Sequence, residues 1–163
     1  MKKDFYDKIV NYILENQDKF YRLAYSYAQN QEDALDIVQS AVCKALENYT
    51  SLRNENAVRT WFYRILVNES LLLLKNKKRE LPSADDLNTE VPYYEKGYEK
   101  SDDLYDEINQ LDEATQKIIK LRFYEELSLQ EISEITEMKL STVKSRLYRG
   151  LKLLKQNIKE VSL

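Results

Sequence analysis

The chain contains no histidine and a single cysteine, Cys43. This excludes Ser-His-Asp and Cys-His catalysis, imidazole metal ligation, structural zinc and any intrachain disulfide. Two glycines and two prolines in 163 residues cannot supply a Gly-rich phosphate cradle, and they leave few breakers for a turn-rich β fold. No run approaches about 18 apolar residues, so insertion into a membrane is not expected. The opening MKKDFYDKIV sets acids where a signal peptide would carry its apolar core, and a cytoplasmic location is expected. What remains is 43% hydrophobic and 33% charged, the balance of a globular, mostly helical chain.

Three of the four Gly and Pro residues, Pro82, Pro92 and Gly97, punctuate a polar, acidic stretch with no helical apolar period. Residues 81–101 therefore read as a linker, expected to be mobile in the free protein, between helical domains at 1–80 and 102–163. Charge divides the same way. Residues 1–50 carry 6 basic and 8 acidic groups, 51–80 carry 7 and 3, 81–113 carry 2 and 11, and 114–163 carry 10 and 6. The net charge of −3 thus conceals two basic patches, and a polyanion feels such a patch within a Debye length of about 8 Å.

Apolar residues at helical spacing predict a short helix over Phe5–Leu14 and two longer ones. The first carries Phe20, Leu23, Ala24, Tyr27 and Ala28, and the second Leu35, Val38, Val42, Ala45 and Leu46. A long helix is expected from about Asn56 to Lys78, with Leu71–Leu74 either buried on two sides or covering a neighbour, and Cys43 reads as a small core residue. After the linker, helices are expected over Leu104–Leu111 and Asp112–Tyr124. Ser128 and Glu131 form a capping box ahead of a short helix with Ile132 and Ile135. Following the turn at 136–139, Ser141 is placed to cap a final helix whose stripe is Val143, Leu147, Leu151, Leu154 and Ile158. Short helix, four-residue turn and longer helix make a helix-turn-helix. The fold class is all-α: two small helical domains joined by an acidic linker.

From Lys139 to Lys159 there are seven basic residues and no acid. A solvated helix face is the bland account, but position favours DNA, because a recognition helix turns its N-terminal residues to base edges. Lys144, Ser145, Tyr148 and Arg149 lie off the apolar stripe there. In the first domain, Trp61 and Phe62 are assigned mainly to packing, and Arg64 and Asn68 are kept for DNA. Glu32, Asp33, Asp36 and Glu47 are reminiscent of a magnesium-dependent helical nucleotide hydrolase, but the neighbouring helix offers no converging carboxylates past Asp18. No catalytic residue, metal or cofactor is expected.

Three blocks in this order resemble the bacterial sigma factors of the extracytoplasmic-function group. They are Glu32-Asp-Ala-Leu-Asp-Ile-Val-Gln39, Thr60-Trp-Phe-Tyr-Arg-Ile-Leu-Val-Asn68, and Leu127-Ser-Leu-Gln-Glu-Ile-Ser133 with Ser141-Thr-Val-Lys-Ser-Arg-Leu-Tyr-Arg149. The resemblance implies that Asp36, Ile37 and Gln39 contact core RNA polymerase. It makes Leu52, Arg53, Asn54 and Asn56 pocket candidates for a flipped minus-10 base, with Asn68 beside them, and gives the minus-35 contacts to Lys144, Ser145, Tyr148 and Arg149. It also implies an anti-sigma inhibitor and a monomer when free. The chain departs from the family pattern at Ser40 (usually Glu), Leu72 (commonly Asp), Asp112 (often Pro) and Glu126 (often Gly). The rival reading from another class is a helix-turn-helix activator or repressor with a helical sensor domain, which would bind paired half-sites as a dimer.

Overall fold

The computed structural model describes residues 2–80 and 100–162, and all regular structure among them is helical. The expectation of a mobile linker over 81–101 falls almost wholly outside the described residues. Four helices come first: α1 (Lys2–Glu15), α2 (Gln17–Ala28), α3 (Gln31–Glu47) and α4 (Val58–Glu80), with 3-10 turns at Tyr49–Ser51 and Glu55–Ala57 before the last. Four more follow: α5 (Lys100–Asn109), α6 (Glu113–Phe123), α7 (Leu129–Thr136) and α8 (Leu140–Ser162).

Local chemistry explains the boundaries. Gln29 turns left-handed at φ 60°, closing α2 with a bond from its N–H to the Tyr25 carbonyl. One residue on, the extended Asn30 caps α3 by accepting from the Asp33 N–H at 2.8 Å. Asp112 caps α6 through the Thr115 N–H at 3.2 Å, and its carboxyl is held below the usual range first by the Thr115 hydroxyl. The Ser128 and Glu131 capping box is present as expected. Ser141 is not a cap: α8 starts one residue earlier, at Leu140, and the Val143 N–H already bonds the Lys139 carbonyl.

In the first four helices the core runs through Phe20, Leu23, Ile37, Phe62, Tyr63 and Leu66. The rings of Phe20 and Phe62 lie 4.4 Å apart, and Tyr12 and Tyr63 pack around them. The α3 stripe differs from expectation. Ala34, Ile37, Ala41 and Ala45 face the core, whereas Leu35 is 46% exposed and Val38, Val42 and Leu46 are only partly covered. Alanines let α2 and α4 approach α3 closely, and they take the inward face from the larger residues one position on. Cys43 consequently sits on the outside of α3 and is exposed, not in the core. In the leucine run, Leu71, Leu73 and Leu74 are half-buried against the core, as a run covering a neighbour would be, and Leu72 is exposed.

In the second set, Ile118, Ile119, Leu121, Ile132, Ile135, Val143, Leu147 and Leu154 form the core. Gly150 permits the crossing of α8 over α6, since a Cβ there would lie 2.6 Å from Thr115 Cγ2 and 2.8 Å from Ile119 Cδ1. The two sets of helices do not stand apart. α7 lies on α4 and α6 touches α2, joined by buried polar groups.

Candidate nucleic-acid interface

Burying Val143, Leu147, Gly150 and Leu154 turns the opposite face of α8 to solvent. Lys144, Ser145, Tyr148 and Arg149 are all exposed on it, Tyr148 at 68%, and the structure thus brings the four expected minus-35 residues together. The neighbouring Arg146 is turned away, pairing with the α6 cap Asp112 at 3.2 Å. Behind this face the turn is held by Ser133, whose hydroxyl donates to the Met138 carbonyl at 2.6 Å. Its αL residue is Glu137, at φ 62°.

The minus-10 candidates are spread over a loop and the first half of α4. Arg53, Asn54 and Asn56 are exposed. Asn54 is already engaged, since its side chain accepts from the Asn56 N–H at 3.0 Å and so fixes the following 3-10 turn. Leu52 is a correction: at 4% exposure it anchors the loop in the core and presents no side chain to a base. The Trp61 indole N–H donates to the Ser51 hydroxyl at 3.1 Å, tying the loop to α4, while Phe62 is fully buried. Asn68 is exposed and lines a groove of about 600 Å³ with Tyr27, Lys75, Lys78 and Gln116. Arg64 is exposed but occupied, as it donates to the Glu134 carbonyl and lies 3.5 Å from the Glu137 carboxylate.

On α3, Asp36 and Gln39 are exposed, whereas Ile37 is 1% exposed and belongs to the core. The second correction is therefore Ile37, which supports this face from beneath. Gln39 borders an apolar groove of about 690 Å³ between α1 and α3, with Leu14, Leu35, Val38, Val42 and Leu46 along it. Periodicity alone assigns these α3 side chains to the core; packing of α1 and α2 beside α3 makes them the wall of a groove instead. The acids at the start of α3 do not gather around a site. Asp33 is committed to Asn30 and Lys77, and among the described residues no three His, Cys, Asp or Glu side chains are grouped to hold a metal ion. Nor is any helix among them long and apolar enough to cross a membrane.

Sequence reasoning overlooked the polar groups between the two sets of helices. Lys120 is fully buried, donating to the Ser26 carbonyl and to Asn109 Oδ1 at 2.9 Å each and lying 3.6 Å from the Tyr27 ring centroid. Burial lowers its pKa to about 7. Glu125, 4% exposed, accepts from the Tyr63 hydroxyl at 2.7 Å and pairs with Arg22 at 3.3 Å. Burial raises its carboxyl above the ordinary range despite both partners. No local signal marks them, because Ser26, Tyr63 and Arg22 lie far away in the chain.

The family description "Sigma-70 region 2" matches residues 12–80, and "Sigma-70, region 4" matches residues 101–154. The RNA polymerase sigma factor SigV of Bacillus subtilis is 41% identical over 150 residues, covering 90% of this chain and 89% of that protein. The ECF RNA polymerase sigma-E factor of Haemophilus influenzae is 31% identical over 144 residues, covering 79% and 76%. In fold the chain is similar to RpoE of Bartonella quintana, solved in complex with the anti-sigma factor NepR, at TM-score 0.74 and 22% identity over 91% of this chain and 95% of that one. It is also similar to CnrH, solved with the cytosolic domain of CnrY, at TM-score 0.72 and 16% identity over 93% and 88%. These matches do not favour the activator or repressor reading. The exposed face of α8 falls in the region 4 match and the exposed amide-and-arginine face of α4 and its preceding loop in the region 2 match, and the chain is a promoter-recognising sigma factor of the extracytoplasmic-function group.

Proposed function

We propose that the chain works as two reading units: residues 1–80 for core polymerase and the minus-10 element, 102–163 for the minus-35 element, and 81–101 as the tether between them. Asp36 and Gln39 contact the polymerase from the polar side of α3. Arg53, Asn56, Arg64 and Asn68 meet the minus-10 strand, Asn54 shaping the loop that carries the first two. Lys144, Ser145, Tyr148 and Arg149 enter the major groove at minus 35. The observation that carries the reading is the exposed face of α8, four donor-bearing or stacking side chains backed by a buried apolar stripe within a helix-turn-helix.

The protein itself performs no chemistry in this reading, and bond formation belongs to the polymerase. Extruding bases costs a few kcal/mol each, which pocket and phosphate contacts can offset. It acts in the cytoplasm, and an anti-sigma protein holds it inactive. The test is transcription by core polymerase with this protein alone, on templates carrying randomised minus-35 and minus-10 boxes. Selected transcripts should share both boxes. Silence of the core enzyme, together with dimeric binding to a palindromic duplex, would overturn the reading.

A further inference from the structure

The loop that carries Arg53, Asn54 and Asn56 has little regular structure of its own. It joins α3 to α4 through two 3-10 turns, Tyr49–Ser51 and Glu55–Ala57, with extended backbone at Leu52 and Asn54 between them. Such short turns are weakly hydrogen-bonded, so the shape of the loop is set by what its side chains are fastened to. Leu52 in the core and the Trp61 indole on Ser51 hold its middle. Its two turns are held from α1. The Tyr6 ring meets Tyr49 edge-on, with centroids 5.3 Å apart and planes at 87°, and the Lys8 ammonium pairs with the Glu55 carboxylate. α1 is a firm base for both contacts. Phe5, Ile9, Tyr12 and Ile13 form its apolar stripe, with Ile9 fully buried and Tyr12 packed on Phe20 and Phe62. Tyr6 and Lys8 stand on opposite flanks of that stripe, and so one helix reaches both turns.

We propose that Tyr6 and Lys8 are positioning residues for the minus-10 reader: α1 splints the loop, so that Arg53, Asn54 and Asn56 are in place before the separated strand arrives. The inference rests on the proposed role of that loop. Lys8 has a second effect through its partner. Glu55 lies between Asn54 and Asn56 and is the only acid from Asn48 to Ala57. Uncovered, its carboxylate would repel the phosphates that approach those amides, and the Lys8 ammonium cancels that charge. A loop fixed beforehand loses less freedom when the strand binds. It also offers its amides and guanidinium to one arrangement of base edges, whereas a loosened loop meets wrong bases nearly as well as right ones. Loss of the splint therefore lowers discrimination together with affinity.

The test selects promoters from randomised minus-10 boxes with variant holoenzymes. Tyr6→Ala and Lys8→Ala should each relax the base preference within the box and weaken binding to the wild-type box roughly two- to fivefold, the span of one exposed ion pair or ring pair. Tyr6→Phe and Lys8→Arg keep the ring and the charge, and they should select the wild-type box. In the free chain, the Leu52 and Ala57 N–H groups bond the Tyr49 and Asn54 carbonyls at 3.2 and 2.9 Å. Both amides should exchange faster in the alanine variants, with circular dichroism unchanged. Unchanged exchange, or conservative variants that fail as the alanines do, would overturn the splint. Arg53→Ala and Asn56→Ala, run alongside, judge the loop itself. If these two alter the selected box while Tyr6→Ala and Lys8→Ala do not, the splint is overturned and the loop keeps its role. If none of the four alters it, the loop does not read the strand and both readings fall.

Discussion

The hydroxyl of Tyr63 on α4 donates at 2.7 Å to the carboxylate of Glu125, 62 residues further along the chain. Both side chains are buried, and the bond joins the two sets of helices. Removing only the hydroxyl, by Tyr63→Phe, keeps the ring packed against Phe20 and leaves Glu125 with Arg22 as its remaining partner. A bond to a charged, desolvated acceptor is worth about 1.5 to 3 kcal/mol. Chemical denaturation should show a loss of that size. A change below about 0.5 kcal/mol, the usual range for surface substitutions, would mean that the bond forms only fleetingly in solution.

Lys120 gives the stability a pH dependence whose sign follows from its burial. Its pKa is about 7 in the fold against 10.5 in an exposed lysine. Between those values the unfolded chain holds a proton that the folded chain has released, so raising the pH favours the fold, by up to about 1.4 kcal/mol per unit. Below about pH 7 both states are protonated and the full cost of burying the ammonium remains. Tyr27 also faces Lys120, its hydroxyl raised by burial and then by Glu113, and it reverses the trend only above its ordinary value of 10. Denaturation midpoints of the wild type should climb from about pH 7 to pH 9.5, and Lys120→Met should remove that climb. An equal slope in both proteins would assign it to other groups.

How far the sequence disclosed this architecture depended on which force decided each element. The capping box at Ser128 and Glu131 was readable because a cap is local chemistry, settled within four residues. α3 was ambiguous because it carries two apolar stripes of identical spacing. Ala34, Ile37, Ala41 and Ala45 run one residue out of step with Leu35, Val38, Val42 and Leu46, and periodicity weights the larger side chains. Helix approach decided otherwise, and with that rotation Ile37 went inside and Cys43 outside. The exposed contacts of α8 were legible since its apolar stripe had no rival. Lys120 and Glu125 were not legible, because their partners lie on helices far away in the chain.

Glu126 holds a conformation that glycine adopts at lower cost. Its φ is 54°, between α6 and α7, and the Leu127 N–H closes this turn onto the Leu121 carbonyl. A left-handed residue with a Cβ costs about 1 to 2 kcal/mol, partly returned by the lower unfolded-state entropy of a non-glycine residue. Glu126→Gly should therefore stabilise the protein by about 0.5 to 1 kcal/mol. A rise in melting temperature would show this, and a fall would mean that the glutamate side chain has a stabilising contact in solution.

Asp36 and Gln39 share the exposed face of α3, while Ile37 beneath them holds the helix to its core. Asp36→Arg with Gln39→Ala should weaken capture by core polymerase at least tenfold, or about 1.4 kcal/mol, with unchanged circular dichroism. Ile37→Ala should instead lower stability by about 2 to 5 kcal/mol, the cost of truncating a buried aliphatic side chain. Retained affinity in the first variant would move the interface elsewhere, with the groove along Leu35 and Val42 as the next surface to alter.

Lys144 and Arg149 are both exposed, five residues apart on α8, and flank the part of the helix that would enter the groove. If either forms a bidentate contact with guanine, its change to Ala should cost about 1 to 3 kcal/mol and relax the base preference at one position. Lys152 and Lys155 lie one and two turns further along, also exposed, where phosphate is the expected partner. Their loss should weaken all sequences alike and lower the salt slope by about 0.9 per contact. Selecting randomised minus-35 boxes with each variant holoenzyme separates the two behaviours. An altered box for Lys144→Ala or Arg149→Ala, with the wild-type box kept for Lys152→Ala, is the expected outcome. The same box from all of them would show that α8 holds the backbone without reading bases, leaving promoter choice to α4 and its preceding loop.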